Sequence, residues 1–430
     1  MNVIVPDAHG DWFNQRDDSF SHFMRMDGKK TKEVAIFKDY SLGVNTNRDA
    51  WVYNSSRQTV IDSIKRSVLA FNKALGELNS GTDTSSVRQK YIKDVAWSSS
   101  LVSRLERKIP SDFSEGRIQK SLYRPFFKQN LYFDPESGFT HRPGRWKYIL
   151  PDSKAKNLAI CSSGVGSKEY SCLMVDDIPC LDLLEKTQCF PRWLPGEKPN
   201  VKEEELDFGE SEGTPSGFST EALPYFQAAY SDKLITEDDL FYYIYGILHS
   251  EDYRARYANN LTKELPRIPR VATYEQFVAF SRAGRDLAKL HVHFEEVAPY
   301  AGVTLEYAKS GKPSYRVKQM KWGKIAGKTG NAAKDKTTLI YNDWITVKNI
   351  PLEAQEYIVN KKSALDWVVE RACVSIDKAS SIVNDFNDYA AEMENERYPL
   401  DLFLRIITVS IETMKIVKAL PKLEIHPMDK

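Results

Sequence analysis

The sequence predicts an α+β chain: a helical spacer near the start, a mixed β-rich middle and a helical C-terminal part. Three observations predict it. Between Thr59 and Leu78, apolar residues recur at Ile61, Ile64, Val68, Leu69, Phe71 and Leu75, the stripe of an amphipathic helix. From Ser121 to Leu194 the pattern changes to short apolar runs broken by turn residues. Ser363–Glu370 and Leu400–Leu420 then return to helical spacing.

Taken in order, Val34–Phe37 and Ala50–Tyr53 read as short strands around the turn-rich segment Ser41–Asp49. A polar break at Ser80–Ser86 separates the first amphipathic helix from a second that runs towards Leu105. Asn157–Cys161 and Tyr170–Val175 flank a Ser/Gly loop and read as a hairpin or two joined strands. Residues 196–221 carry Glu203, Glu204, Glu205, Asp207, Glu210, Glu212 and Glu221 among scattered Gly and Pro, the composition of an acidic surface loop. Residues 222–296 are mainly helical. Thr236-Glu-Asp-Asp239 supplies a capped start, and Phe277, Phe280, Leu287 and Leu290 mark a second helix. Residues 301–348 return to strands, predicted at Tyr315–Trp322 and Thr338–Tyr341, and residues 349–421 are helical.

The chain has 430 residues, enough for two or three cored units, and its 42% hydrophobic share is that of a folded protein. A net charge of +1 excludes a uniformly basic nucleic-acid coat, so any such contact must come from local patches. The five cysteines (Cys161, Cys172, Cys180, Cys189 and Cys373) form no C-x-x-C pair, which predicts reduced thiols and a cytoplasmic location. The start lacks a signal-peptide layout, and no apolar run approaches the length of a membrane span.

Searches for catalytic motifs return decoys. Gly323-Lys-Ile-Ala-Gly-Lys-Thr329 resembles a phosphate loop, but Trp322 stands where its first glycine belongs. His291 and His293 are two apart on a predicted helix and point away from each other, so they make no metal pair. Pro151-Asp152 with Lys154 and Lys156 lacks the further acid of a nuclease centre. The glycine-rich loop and Asn/Asp-Pro-Pro-aromatic clamp of an adenine methyltransferase are absent from the sequence. No catalytic residue and no metal ligand is assigned.

The positive signals are basic. Residues 301–336 hold Lys309, Lys312, Arg316, Lys318, Lys321, Lys324, Lys328, Lys334 and Lys336 against Glu306 and Asp335, enough to neutralise several phosphates if they share a surface. A second zone, Arg104–Lys156, includes Arg117, Lys120, Arg124, Lys128, Arg142, Arg145 and Lys147, interleaved with aromatics that we read as supporting core.

Several segments, in one order along nearly the whole chain, resemble the C-terminal target-recognition (specificity) region of Type ISP restriction–modification enzymes and related helicase–methyltransferase fusions. They are Asp11-Trp-Phe-Asn-Gln-Arg16, Ser41 through Asn54, Tyr123-Arg-Pro-Phe126 with Leu131-Tyr-Phe-Asp134, and Cys189-Phe-Pro191. Asp239 through Ser250, Tyr253-Arg-Ala-Arg-Tyr257, Pro266-Arg-Ile-Pro269, Ser363 through Arg371 and Ile382-Val-Asn-Asp385 continue the series. Phe127 and Gln129 depart from the acid and base usual in that family, and Ser381 and Phe386 from its Gly and Pro.

The resemblance implies a module that grips duplex DNA, reads bases in the major groove and presents an adenine to a neighbouring methyltransferase. It implies residues 1–105 as a methyltransferase tail plus helical spacer, and 106–430 as the recognition domain. The chain is then expected to be an excised or naturally split C-terminal segment. Nuclease, helicase and methyltransferase parts belong upstream, along with S-adenosylmethionine, ATP and Mg; none of these is expected to bind this chain. Phosphate contacts are expected from Lys309, Lys312, Arg316, Lys318, Lys321, Lys324, Lys328, Arg124, Lys128, Arg142 and Arg145. Gly164–Lys168, with Ser163 and Lys168 named, is the expected base-reading tip. Asn45, Asn47 and Arg48 are expected at DNA or at the methyltransferase joint. The alternatives are a divergent methyltransferase or nuclease with cryptic motifs, and a protein-interaction subunit of a phage-defence complex.

Overall fold

A computed structural model describes residues 6–7, 9–28, 33–194, 215–230 and 233–429. Most of the acidic loop expected at 196–221 lies outside the described residues; Ser216 and Phe218, at its end, bridge to Trp193 and Phe37. The architecture is α+β, built on two hydrophobic cores.

A four-stranded antiparallel sheet stands between the cores, in the order Ser41–Leu42, Gln188–Pro191, Ala159–Ser162, Cys172–Val175. Successive strand residues face opposite sides. Ala159, Cys161, Leu173, Val175 and Cys189 therefore enter the first core, while Ile160, Cys172, Met174 and Phe190 enter the second. Both faces are apolar, which is why these strands read as unbroken apolar runs without polar alternation. The predicted hairpin pairs Ser162 with Cys172 and Ala159 with Val175.

The first core also holds a second sheet, in the order Tyr53–Asn54, Phe127–Tyr132, Ile118–Arg124, Ile178–Pro179. The helix Arg57–Asn79 packs beside it. Ser56 caps that helix, its hydroxyl accepting from the Thr59 amide at 3.1 Å. Ile61, Ile64, Val68, Phe71 and Leu75 are buried as the stripe predicts, but Leu69 is 64% exposed. Leu69 lies about 100° around the helix from Val68, off the buried face.

Two short strand expectations fail. Asp49–Val52 is a single helical turn, and only Tyr53–Asn54 pairs as strand. Ala35 and Phe37 make isolated bridges to Arg25 and Phe218. In both places the buried apolar residues that suggested strands are real (Ile36, Phe37, Trp51 and Val52), but tertiary packing set the backbone.

The second core is mainly helical. Glu237–His249 opens with the predicted capping box between Thr236 and Asp239. It crosses Tyr274–Val292 at Gly246 and Gly284, so closely that a Cβ on Gly284 would sit 1.8 Å from the Tyr242 carbonyl oxygen. His291 is buried, bonded through Nδ1 to the Tyr245 hydroxyl at 2.6 Å and through Nε2 to Thr413 Oγ1 at 2.9 Å. His293 points elsewhere, to Glu296.

No core boundary falls at residue 105. Val44 through Leu105 build the first core together with residues up to Val409, and Phe20 through Phe37 belong to the second. Among the described residues no helix is long and apolar enough to cross a membrane.

Candidate nucleic-acid interface

Residues 301–348 fold into a four-stranded antiparallel sheet, in the order Thr304–Tyr307, Ile345–Lys348, Lys334–Ile340, Lys321–Lys324. The predicted strand at Tyr315–Trp322 is thus shorter and displaced, because Val317 and Met320 are buried without joining the ladder. Trp322, Leu339, Ile345 and Val347 face the first core, where Trp322 meets Phe403 edge-on at 6.0 Å. The Trp322 indole donates to Asp366 Oδ1 at 2.7 Å.

The outer side carries lysine. Strict alternation from Lys321 would turn Lys324 inward with Trp322. The register jumps here, from Trp322 opposite Leu339 to Gly323 opposite Asp335, and past this bulge Lys324 is exposed, as Lys321 is. Lys324 then stands directly opposite Lys334. Like charges in that position repel, a cost that a bound polyanion removes. Lys328 projects from the loop between left-handed Gly327 and Gly330. Lys309, Lys312 and Lys318 are also exposed, and among the described residues none of these seven lysines forms an ion pair. Arg316 is 62% exposed and bonded to Asp385. Lys336 is held by Asp366 and lies over the Trp322 ring, so it serves the sheet's attachment.

The second zone divides. Arg142 and Arg145 are exposed on the turn beside the edge strand Ser41–Leu42, where the Arg145 amide donates to Ser41 Oγ at 3.0 Å. Arg145 also pairs with Asp39 at 2.6 Å but stays 52% exposed. Arg124 is turned inward instead. It stacks on Tyr123 at 4.0 Å and donates to the Tyr123 carbonyl and to Cys180 Sγ.

Lys128 is only 15% exposed and sits between Asp177 and Glu295, at 2.9 and 3.0 Å. Burial alone would lower its pKa, but the two carboxylates outweigh burial and hold it above the usual lysine value. Its charge is committed within the fold, so we withdraw Lys128, and Arg124 with it, from the expected phosphate contacts.

Arg48 is buried, and burial pushes its pKa down to about 9. It donates to Ser67 Oγ at 2.9 Å and lies over Phe139 at 5.0 Å, which removes it from the expected contact set. Asn45 spends its side-chain oxygen on the Asn47 amide, and its backbone pairs with Arg142; Asn47 is exposed. Ser163 is also buried, its hydroxyl accepting from the Ser171 amide at 2.9 Å. Lys168 is exposed on the Gly164–Lys168 loop.

The arrangement can bind an extended anion on the lysine sheet and at Arg142 and Arg145. Among the described residues no cluster of three His, Cys, Asp or Glu is placed to hold a metal ion.

The family model of the Type ISP C-terminal specificity domain matches residues 35–402. The chain belongs to that family. No curated protein matches it. Among solved structures, this specificity domain is similar to a nuclease-deletion mutant of the Type ISP restriction–modification enzyme LlaGI in complex with a DNA substrate mimic. The identity is 31% and the TM-score 0.80, over 98% of this chain and 36% of that one. It is also similar to the ATP-dependent Type ISP enzyme LlaBIII bound to DNA, at 32% identity and a TM-score of 0.83, covering 98% of this chain and 26% of that one. A third similarity, to the protein of a DrdV–DNA complex, has 29% identity and a TM-score of 0.80, covering 99% and 41%. The specificity domain thus spans well under half the length of each of these chains.

Proposed function

We propose that this specificity domain recognises a sequence in double-stranded DNA and positions it for methylation or cleavage by other parts of a restriction–modification enzyme. The observation that carries this reading is the set of exposed lysines on and around this sheet, Lys309, Lys312, Lys318, Lys321, Lys324, Lys328 and Lys334, none of them in an ion pair among the described residues. Family membership and three structural relatives that hold DNA support it. Lysines of this kind fix the domain on phosphates, while nearby loops supply base contacts. Arg142 and Arg145 form the second phosphate contact. Residues 1–105 adjoin the methyltransferase part, and the S-adenosylmethionine, ATP and Mg chemistry belongs to such partners.

Six or more neutralised phosphates give a log–log salt slope of about −5, so duplex affinity falls roughly a thousandfold between 50 and 200 mM salt. Fluorescence anisotropy with a labelled duplex measures this, and a flat response contradicts the reading.

A further inference from the structure

Lys361 occupies a position where the backbone favours glycine. Val359 pairs with Lys362, leaving Asn360 and Lys361 as a two-residue hairpin turn, with φ of 48° and 69°. Such turns need left-handed backbone at both positions, and glycine is the usual second residue because a side chain there is strained. The turn is fixed in place: the Asn360 amide donates to Ser171 Oγ at 2.9 Å, at the base of the Gly164–Lys168 loop.

Another left-handed lysine lies beside it. Lys186, φ 58°, donates its ammonium to the carbonyls of Val165 and Gly166, both at 3.3 Å. Its own carbonyl lies 2.5 Å from where a Cβ on Gly164 would be, so Gly164 must be glycine. Glu185 ties the cluster together. Its carboxylate receives the Lys168 amide at 3.2 Å and lies 3.7 Å from the Lys361 ammonium, while its carbonyl receives the Gly164 amide and the Ser167 hydroxyl, each at 3.0 Å. The Gly166 amide is bonded to Thr262, at 2.8 Å. The loop is therefore held rigid from several sides, with Val165 (48% exposed), Lys168 and the acidic Glu169 facing outward.

This cluster is continuous with the arginine zone. From Lys186 the chain enters the strand Gln188–Pro191, where Gln188 pairs with Leu42 of the edge strand flanked by Arg142 and Arg145. Strained backbone retained next to a binding surface points to function there.

We infer that Lys361 and Lys168 grip DNA phosphates on either side of the Val165 tip, with Lys186 as a positioning residue that buttresses the tip. This inference rests on the DNA-recognition reading above, and it adds a contact between the arginine zone and the hairpin at Asn360–Lys361.

The test is Lys361→Gly, assayed for thermal stability and duplex binding beside wild type, Lys361→Arg and a variant of the lysine sheet. Glycine suits the left-handed turn, so Lys361→Gly is expected to melt at or above the wild-type temperature. It should also bind duplex several-fold more weakly, with the salt slope shallower by about 0.9, while Lys361→Arg keeps the wild-type slope. Unchanged affinity and slope in Lys361→Gly, with the lysine-sheet variant impaired, overturn this inference and leave the DNA-recognition reading standing. Absence of salt-dependent binding by the wild type overturns both.

Discussion

Lys321→Glu, Lys324→Glu and Lys328→Glu in one chain are expected to weaken duplex binding by about a hundredfold or more near 100 mM salt. The salt slope should become shallower by about 3, because three phosphate contacts no longer release counterions. These side chains are exposed on the outer side of the sheet, and removing them breaks no ion pair among the described residues. Stability should stay within about 0.5 kcal/mol of wild type. Lys324→Glu offsets part of any loss, since it replaces the cross-strand repulsion with Lys334 by attraction. Unaltered binding by this triple variant would remove the lysine sheet from the interface.

Lys128→Met is expected to do the opposite. The thioether fits the apolar stem of Lys128, but it leaves Asp177 and Glu295 facing each other without their cation. Asp176 adds to the strain: burial first, and then Asp177, pushes its pKa up to about 6. Breaking a fully buried pair costs about 3–5 kcal/mol, and this half-buried one should cost somewhat less, which chemical denaturation would measure directly. The deficit should shrink as the pH falls, because Lys128 holds the Asp176 pKa down, its loss raises that pKa above the wild-type value, and a carboxyl with a further raised folded-state pKa favours folding once protonated. At a temperature where the variant remains folded, its salt slope for duplex should equal that of wild type. A lower slope with unchanged stability would return Lys128 to the interface.

These two variants also mark what the sequence could and could not disclose. The lysine face was legible because its charges lie within one short stretch, and Trp322, Leu339 and Val347 supply the apolar side that turns them outward. The bulge that sets Lys324 opposite Lys334 was not, since it depends on a four-residue register jump to Asp335. Lys128 looked like its neighbours because its partners, Asp177 and Glu295, are far away in the chain. Arg48 lies in a polar turn that reads as surface, yet Ser67, Trp51 and Phe139 enclose it. Lys361 gave no turn signal because lysine stands where an Asn-Gly pair would have announced one. The cap at Thr236, by contrast, is a local signal and was recognisable, while the helix capped by Ser56 was legible from its apolar stripe alone.

Selection from a random duplex library separates sequence-specific recognition from phosphate binding alone. The purified chain is incubated with randomised duplexes at about 150 mM salt, and the retained pool is sequenced over several rounds; the account predicts convergence on one defined site, with each mismatch in it costing about 1–3 kcal/mol. A pool that stays random while binding remains strong and salt-dependent would contradict it, leaving a phosphate-binding surface without sequence recognition.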